Sequence, residues 1–148
     1  MRLTMYTDYS LRVMMSLAAA PERTRTIQEI ADGYGISKNH LMKVAYELGQ
    51  AGLVETVRGR GGGLRLARPA AGIRLGELVR ECERDFAMVE CFDREKDQCV
   101  LTPACRLKRA LAEALEAYFE ALDRYTLADL VQQKGVLLKL LSFEEAGG

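Results

Sequence analysis

Two predicted helices joined by a short glycine-containing turn constrain the fold of this chain most strongly. Residues 26–29 read TIQE, the pattern of a capping box, which opens a short helix. Residues 33–36 read GYGI and supply a tight turn, after which Ser37 is the predicted N-cap of a longer helix. The apolar stripe of that longer helix consists of Leu41, Val44, Ala45 and Leu48. This order of elements is the pattern of a helix-turn-helix.

The first turns of the longer helix carry side chains suited to reading DNA. In a helix-turn-helix protein the second helix lies in the major groove, with its N-terminal residues at the base edges. The candidates here are Ser37, Lys38, Asn39 and His40, with Lys43 one turn further along. Their side chains can donate or accept hydrogen bonds, as base reading requires. The alternative is the solvated outer face that any packed helix pair presents.

A glycine-rich hairpin is predicted directly after the helix-turn-helix. Residues 53–58 and 64–68 alternate apolar and polar side chains, as two short strands do, and residues 59–63 read GRGGG. Arg58, Arg60, Gly61 and Gly62 would form a slim basic tip suited to a narrow minor groove. A flexible hairpin with solvated arginines is the alternative. A phosphate-binding P-loop is excluded because no Gly-Lys-Ser/Thr follows. The predicted fold is mainly α with a small β-hairpin: a winged helix-turn-helix plus a long dimerisation helix.

The predicted N-terminal helix spans residues 8–20, with Thr7 or Asp8 as its cap and Pro21 after its end. Its apolar stripe consists of Leu11, Met14, Met15 and Ala18. The Ala-rich stretch faintly resembles a signal peptide, but the charged residues within it favour an amphipathic helix. No apolar run is long enough to cross a membrane, so we expect a cytoplasmic protein.

The net charge of zero conceals an asymmetry along the 148 residues. Residues 1–80 carry 12 Lys+Arg and 7 Asp+Glu, a net of +5, whereas residues 81–148 carry 9 and 14, a net of −5. A basic front half suits a polyanionic partner such as double-stranded DNA. We predict a DNA-binding domain at 1–80, a loop region at 81–106 and a dimerisation region at 107–148.

A long amphipathic helix is predicted after residue 106. Its apolar face consists of Leu107, Leu111, Leu115, Phe119 and Leu122, broadened by Ala110, Ala114, Tyr118, Ala121 and Tyr125. This face is wide for one small neighbour, which makes it a candidate homodimer seam; packing wholly within one chain is the alternative. A short last helix begins at residues 126–129, and the tail after Phe143 is expected to fray.

Three cysteines, Cys91, Cys99 and Cys105, lie in one short irregular segment at C-x7-C-x5-C spacing. Clustered cysteines in a reducing compartment are more often metal-binding or catalytic than disulfide-bonded. Thiolates favour zinc, copper(I) or iron–sulfur clusters. A zinc site is less favoured, because structural zinc sites usually contain cysteine pairs that are closer together in the sequence. A cubane cluster would need one ligand in addition to the three cysteines. Cys82 falls on the apolar face of residues 75–83 and is expected to be a core thiol.

Three classes of function remain open at this point. A sensor that couples the cysteine centre to DNA binding is the preferred interpretation. A zinc-stapled DNA-binding protein without sensing and a cluster-bearing electron carrier are the alternatives. We do not expect an enzyme, because a cysteine–histidine pair would have to recruit the single histidine, His40.

Five segments together resemble one known family, the Rrf-type winged-helix regulators. They are MRLTMYTDYSLRVMM, YGISKNHLMKV, VRGRGGGLRLARP, LTPACRLKRAL and YTLADLV. The resemblance covers nearly the whole chain. It implies a homodimeric repressor that binds a palindromic operator and carries a [4Fe-4S] cluster, or alternatively a [2Fe-2S] cluster, on each subunit.

The resemblance also implies which residues hold the cluster and what the protein senses. Cys91, Cys99 and Cys105 would be thiolate ligands, and Asp8, from the first helix of the other subunit, would be the fourth ligand. Asp8 and the segments SKNHLMKV (residues 37–44) and LTPACRLK (residues 101–108) favour the branch that senses nitric oxide. The gap between Cys91 and Cys99, with the lead-in FAMVECFD, also resembles the iron-responsive branch, and the branch that controls cluster assembly is a more distant relative.

Overall fold

Helices and one β-hairpin make up the part of the chain that this computed structural model describes, residues 1–143. In chain order they are α1 (Met5–Ala19), α2 (Ile27–Tyr34), α3 (Lys38–Gln50), β1 (Val54–Val57), β2 (Gly63–Leu66), α4 (Leu75–Cys82), α5 (Arg106–Leu122), α6 (Leu127–Leu130) and α7 (Lys134–Leu140). The predicted fold class is therefore confirmed. None of the described helices is long and apolar enough to span a membrane.

Helix α1 begins earlier than the sequence predicts. Its N-cap is Thr4, whose Oγ1 accepts a hydrogen bond from the backbone N–H of Thr7 at 3.3 Å. The prediction that Thr7 or Asp8 caps the helix is wrong, because both lie inside its first turn. Thr4 takes the position because its backbone N–H and hydroxyl also bind Glu83, far along the chain. Such a partner is invisible to a local pattern.

The helix-turn-helix forms as predicted. The capping box at the start of α2 is complete, with Glu29 N–H donating to Thr26 Oγ1 and Thr26 N–H donating to Glu29 Oε2. Gly35 adopts φ 65°, the left-handed conformation that ends a helix at little cost for glycine. Ser37 is the N-cap of α3, although its side chain makes no capping bond. The four predicted stripe residues of α3, Leu41, Val44, Ala45 and Leu48, are all buried.

The hairpin forms the predicted wing, residues 54–66. Strands β1 and β2 are antiparallel, with Val54 opposite Leu66 and Val57 opposite Gly63. Arg25, just before α2, pairs with Leu64 as an isolated bridge, so a third segment extends the sheet. The wing is therefore attached directly to the entrance of the helix-turn-helix.

One apolar core joins the two ends of the described chain. It contains Met14 and Leu17 of α1 together with Leu127, Val131 and Phe143 from beyond α5. The short helix predicted to begin at residues 126–129 forms as α6, with Thr126 as its N-cap in a complete capping box. The prediction that it is the last helix is wrong, because α7 follows it. The division into three regions at residues 80 and 106 stays a prediction. The expected fraying after Phe143 concerns residues 144–148, which lie outside the described residues.

Candidate functional site

The outer face of α3 is open to solvent. Ser37, Lys38, Asn39, His40 and Lys43 are all exposed, whereas the opposite face of the helix is buried in the core. The sequence-predicted reading residues therefore share one accessible surface at the start of the helix, as insertion into a major groove requires.

Two further side chains on this surface were missed by the sequence analysis. Met42 is 50% exposed and Tyr46 is 68% exposed. With Lys38 they are spaced four residues apart, which places all three on one helical face. They border a cleft of ≈ 510 Å³ between α3 and the wing. The sequence could have indicated both residues, because they are large side chains of α3 that lie outside its apolar stripe.

The wing tip is exposed and held by backbone contacts. Arg58, Arg60 and Gly61 are exposed, and Gly62 is half-buried. Gly61 has φ 72°, and a Cβ on Gly62 would collide with the carbonyl oxygen of Val57. These two glycines are therefore needed for the shape of the tip.

The cations of this surface are available to bind phosphate. Among residues 1–143, none of Lys38, Lys43, Arg58 and Arg60 takes part in an ion pair. Arg65 on β2 differs, because its Nε donates to Glu55 Oε2 at 3.0 Å. The unpaired cations lie on α3 and at the wing tip, so one polyanion could contact both elements.

The three loop cysteines lie in the cysteine loop, residues 83–105, which joins α4 to α5. Cys91 and Cys105 are half-buried, Cys99 is exposed, and none is in a disulfide. Cys105 is the N-cap of α5, and its Sγ accepts a hydrogen bond from the Lys108 N–H at 3.4 Å. One sulfur is thus already an acceptor at a helix N-terminus.

Cys82 is a core thiol, as predicted. It is 2% exposed at the end of α4. Burial raises the pKa of this thiol to about 11, with smaller contributions from nearby carboxylates including Glu81 and Glu83. A neutral buried thiol is inert and a poor ligand, which separates Cys82 from the three cysteines of the loop.

Asp8 lies on α1 and binds Arg12. The Arg12 guanidinium donates from Nε to Asp8 Oδ1 at 3.1 Å and from its terminal nitrogen to Oδ2 at 2.8 Å. Arg12 also lies beside the rings of Tyr9 and Tyr34. In the described residues of one chain, no three His, Cys, Asp or Glu side chains are arranged to hold a metal ion. The structure therefore does not bring Asp8 and the three cysteines together within one chain.

Comparison with known proteins identifies the family. The profile of the Rrf2 family, described as iron-dependent transcriptional regulators, matches residues 3–133. The chain belongs to the Rrf2 family. It is 57% identical over 146 residues to the HTH-type transcriptional regulator NsrR of Bacillus subtilis (strain 168), a match that covers 98% of this chain and 100% of that protein. NsrR of Geobacillus kaustophilus (strain HTA426) is 51% identical over 142 residues, with 95% and 97% covered.

Solved Rrf2-type structures show the same fold. CymR (YrzC), the global cysteine regulator of B. subtilis, superposes with a TM-score of 0.74 at 29% identity, covering 90% of this chain and 98% of that one. IscR of T. potens superposes with a TM-score of 0.72 at 26% identity, covering 99% and 94%. The resemblance inferred from the five sequence segments is confirmed at the level of the family, and so is the winged-helix fold.

The donor chemistry of this Rrf2 chain suits an iron–sulfur cluster. Three cysteines on one loop offer soft ligands, and none of them is consumed by a disulfide. The geometry, by contrast, is incomplete in one chain, because no closed ligand set is present in the described residues. The residue types therefore fit the cofactor, whereas the three thiols are not gathered into a ligand set in the described residues of one chain.

Proposed function

We propose that the protein is a DNA-binding transcriptional repressor that senses nitric oxide through a [4Fe-4S] cluster. The observation that carries the DNA-binding part is the single exposed surface formed by α3 and the wing, with its unpaired cations. The names of the similar proteins support transcriptional regulation. The nitric-oxide signal rests on the sequence segments that resemble the nitric-oxide-sensing branch.

In this proposal α3 enters the major groove and the wing tip enters the adjacent minor groove. Lys38 and Lys43 contact phosphates beside the bases, and Arg58 and Arg60 are attracted by the negative potential of a narrow minor groove. The side chains of Asn39 and His40 supply hydrogen-bonding groups at the base edges. Met42 and Tyr46 add apolar area that can meet thymine methyl groups.

Cys91, Cys99 and Cys105 would hold the cluster, with Asp8 of a second copy as the fourth ligand. The cluster would supply iron that nitric oxide attacks. An Asp8 oxygen that binds iron has one lone pair left for Arg12, so one of the two hydrogen bonds would be weakened or exchanged. The pair is 40% and 46% exposed, and exposed pairs contribute only about 0–1 kcal/mol. The exchange is therefore energetically small.

The residues that connect the cysteine loop to the DNA-binding surface are visible in the structure. Glu83, the first residue of the loop, accepts hydrogen bonds from Thr4 and Thr7 at the start of α1. One position after Asp8, the ring of Tyr9 lies 6.2 Å from the ring of His40 on α3. A change in the position of α1 would therefore alter the position of His40 on the exposed face of α3.

The homodimer in this proposal uses the long helix α5. None of the 17 residues of α5 is buried in one chain, and Leu107 is 64% exposed. The apolar face predicted from the sequence is thus only partly covered by its own chain. A second copy would bury this face and bring two α3 helices to half-sites about one helical turn apart. Leu111→Glu should convert the dimer to monomer in sedimentation velocity, whereas a dimer unaffected by this change would refute the seam.

The test begins with anaerobic purification, iron and sulfide assays, and selection of a preferred duplex by the protein from a random pool. Affinity for that duplex is then measured before and after nitric oxide. We expect about a 100-fold loss, a coupling of about 2.7 kcal/mol. Unchanged affinity after complete reaction would refute sensing, and stoichiometric zinc without iron would favour the zinc-stapled alternative.

A matched pair of variants tests the proposed DNA surface. Arg60→Ala should weaken binding and lower the slope of log affinity against log salt by about 1. Arg65→Ala removes the same charge from the same hairpin, but Arg65 is already paired with Glu55, so the slope should hardly change. Equal effects of the two variants would contradict a specific contact of the wing tip.

A further inference from the structure

The aromatic ring of Phe143 covers the guanidinium of Arg25. The Arg25 Cζ atom lies 4.2 Å from the ring centroid. Arg25 is only 2% exposed and Phe143 only 7% exposed. Arg25 Nε has no hydrogen-bond partner among the described residues. Glu29 Oε1 lies 3.8 Å from a terminal nitrogen of the same guanidinium, Nη1. Burial lowers the pKa of Arg25. The ring face and the Glu29 carboxylate therefore together offset the desolvation of this cation.

The backbone of Arg25 belongs to the wing. Its N–H donates to the Leu64 carbonyl at 3.0 Å, and its carbonyl accepts from the Leu64 N–H at 2.7 Å. A Cβ on Gly63 would lie 2.6 Å from the Arg25 carbonyl oxygen. One residue earlier, Thr24 Oγ1 donates to the carbonyl of Gly61 at the wing tip at 2.7 Å. Residues 24–26 thus set the position of β2 and of the tip.

Phe143 itself is held in a fixed place after α7. Its N–H donates to the Leu138 carbonyl at 2.9 Å. A Cβ on Gly33 would lie 2.8 Å from the Leu141 carbonyl oxygen and 3.0 Å from Phe143 Cε1. The chain after α7 is therefore packed against the end of α2 as well as against Arg25, which gives the aromatic ring a rigid base.

We propose that Phe143 is a positioning residue for DNA binding: its ring fixes the Arg25 side chain, and residues 24–26 then hold the wing at the angle that presents Arg58 and Arg60. The inference rests on the proposed DNA binding. It assigns a role in operator affinity to a residue outside the proposed DNA-contacting surface. Loss of the ring would leave the hairpin folded but free to swing at its attachment.

Hydrogen exchange tests the mechanical part without DNA. The full chain, purified anaerobically, is compared with Phe143→Leu, which keeps apolar volume but removes the ring face. Phe143→Tyr keeps the ring, and Phe86→Leu removes a different aromatic, one that packs edge-on against Phe119. Amides of residues 58–64 should exchange about tenfold faster in Phe143→Leu and at the wild-type rate in the other two variants. Unchanged wing exchange in Phe143→Leu would overturn the proposal.

Operator affinity tests the functional part. Phe143→Leu should weaken binding about tenfold, and the loss should shrink to less than about twofold in an Arg58→Ala, Arg60→Ala background, because residues that act together are not additive. In a Lys43→Ala background the tenfold loss should persist. An equal loss in the wing-arginine background would overturn the positioning role.

Two outcomes must be distinguished from failure of this proposal: absence of specific DNA binding and misfolding of the Phe143→Leu variant. If the wild-type chain binds no duplex specifically, the proposed function fails, while the exchange measurement still decides whether Phe143 holds the wing. If Phe143→Leu does not fold, Arg25→Ala takes its place, since it leaves Phe143 and the backbone hydrogen bonds of residue 25 to Leu64 but removes the side chain that the ring covers. It should accelerate wing exchange in the same way, and an unchanged rate would overturn the inference.

Discussion

Glu83 and Thr7 join the cysteine loop to the first helix: Thr7 Oγ1 donates to Glu83 Oε2 at 2.8 Å. The same carboxylate oxygen accepts from the Thr4 N–H at 2.8 Å and from Thr4 Oγ1 at 3.0 Å. Glu83 is 6% exposed, so these bonds are shielded from water. The loop that carries three cysteines therefore starts at the cap of the helix that carries Asp8.

Glu83→Ala should destabilise the fold by about 2–4 kcal/mol, because it removes a charged acceptor and leaves buried donors unpaired. Urea unfolding measures the change. Glu83→Gln keeps one oxygen acceptor and should cost less, and Glu81→Ala, at an exposed neighbouring position, should cost little. If Glu83→Ala lowered the free energy of unfolding no more than Glu81→Ala, the hydrogen bonds from Thr4 and Thr7 to Glu83 would make no contribution to stability.

Those parts of the fold that depend on interactions between residues close together in the sequence could be predicted from it. The capping box at Thr26, the glycine turn at Gly35 and the alternation of the wing strands each depend on residues a few positions apart. The cap of α1 could not be predicted, because Thr4, Thr7 and Asp8 offer equivalent local signals. The choice among them is made by Glu83, a contact that only the folded chain creates.

The candidate site was predictable to a similar extent. Residue type and spacing pointed to Lys38, Arg60 and the loop cysteines, and the structure confirms that the first two are exposed. Residue type does not reveal that Asp8 is bound by Arg12. Nor does it reveal that the ring of Phe143 covers Arg25, since these residues meet only after the two ends of the described chain share a core.

The ion pair between Arg80 and Asp123 predicts a dependence of stability on acid pH. Two hydrogen bonds of 2.9 and 2.8 Å join the side chains, and they lower the pKa of the Asp123 carboxyl. The folded pKa is then below the unfolded value. The contribution is therefore present above about pH 4 and is lost as the pH falls through the lowered folded pKa.

Asp123→Asn should accordingly reduce the drop in urea midpoint between pH 7 and pH 3. Glu113→Gln, an exposed change on α5, is the matched control and should leave the drop as in wild type. An identical pH profile for Asp123→Asn and wild type would show that the pair makes no net contribution to folding.

Alkylation should divide the four cysteines into two classes. Because burial raises the pKa of Cys82 to about 11, its thiolate fraction at pH 8 is on the order of 0.1%. After removal of metal with a chelator, iodoacetamide at pH 8 should label Cys91, Cys99 and Cys105, and Cys82 only in urea. Mass spectrometry counts the labels, and Cys82→Ala should show the same count with and without urea. Rapid labelling of Cys82 in the folded chain would contradict its place in the core.

Asp8 and Arg12 give opposite predictions for the lifetime of a bound cluster. Asp8→Asn removes the proposed fourth ligand and should speed the loss of visible absorbance about 10-fold or more under a chelator. Arg12→Gln frees the Asp8 carboxylate from its two hydrogen bonds and should leave the cluster equally or more persistent. Asp32→Asn, an exposed carboxylate on α2 bound only by Gln28 among the described contacts, controls for loss of charge. If Asp8→Asn matched Asp32→Asn in cluster lifetime, Asp8 would be an ordinary partner of Arg12 and the fourth ligand would have to be sought elsewhere.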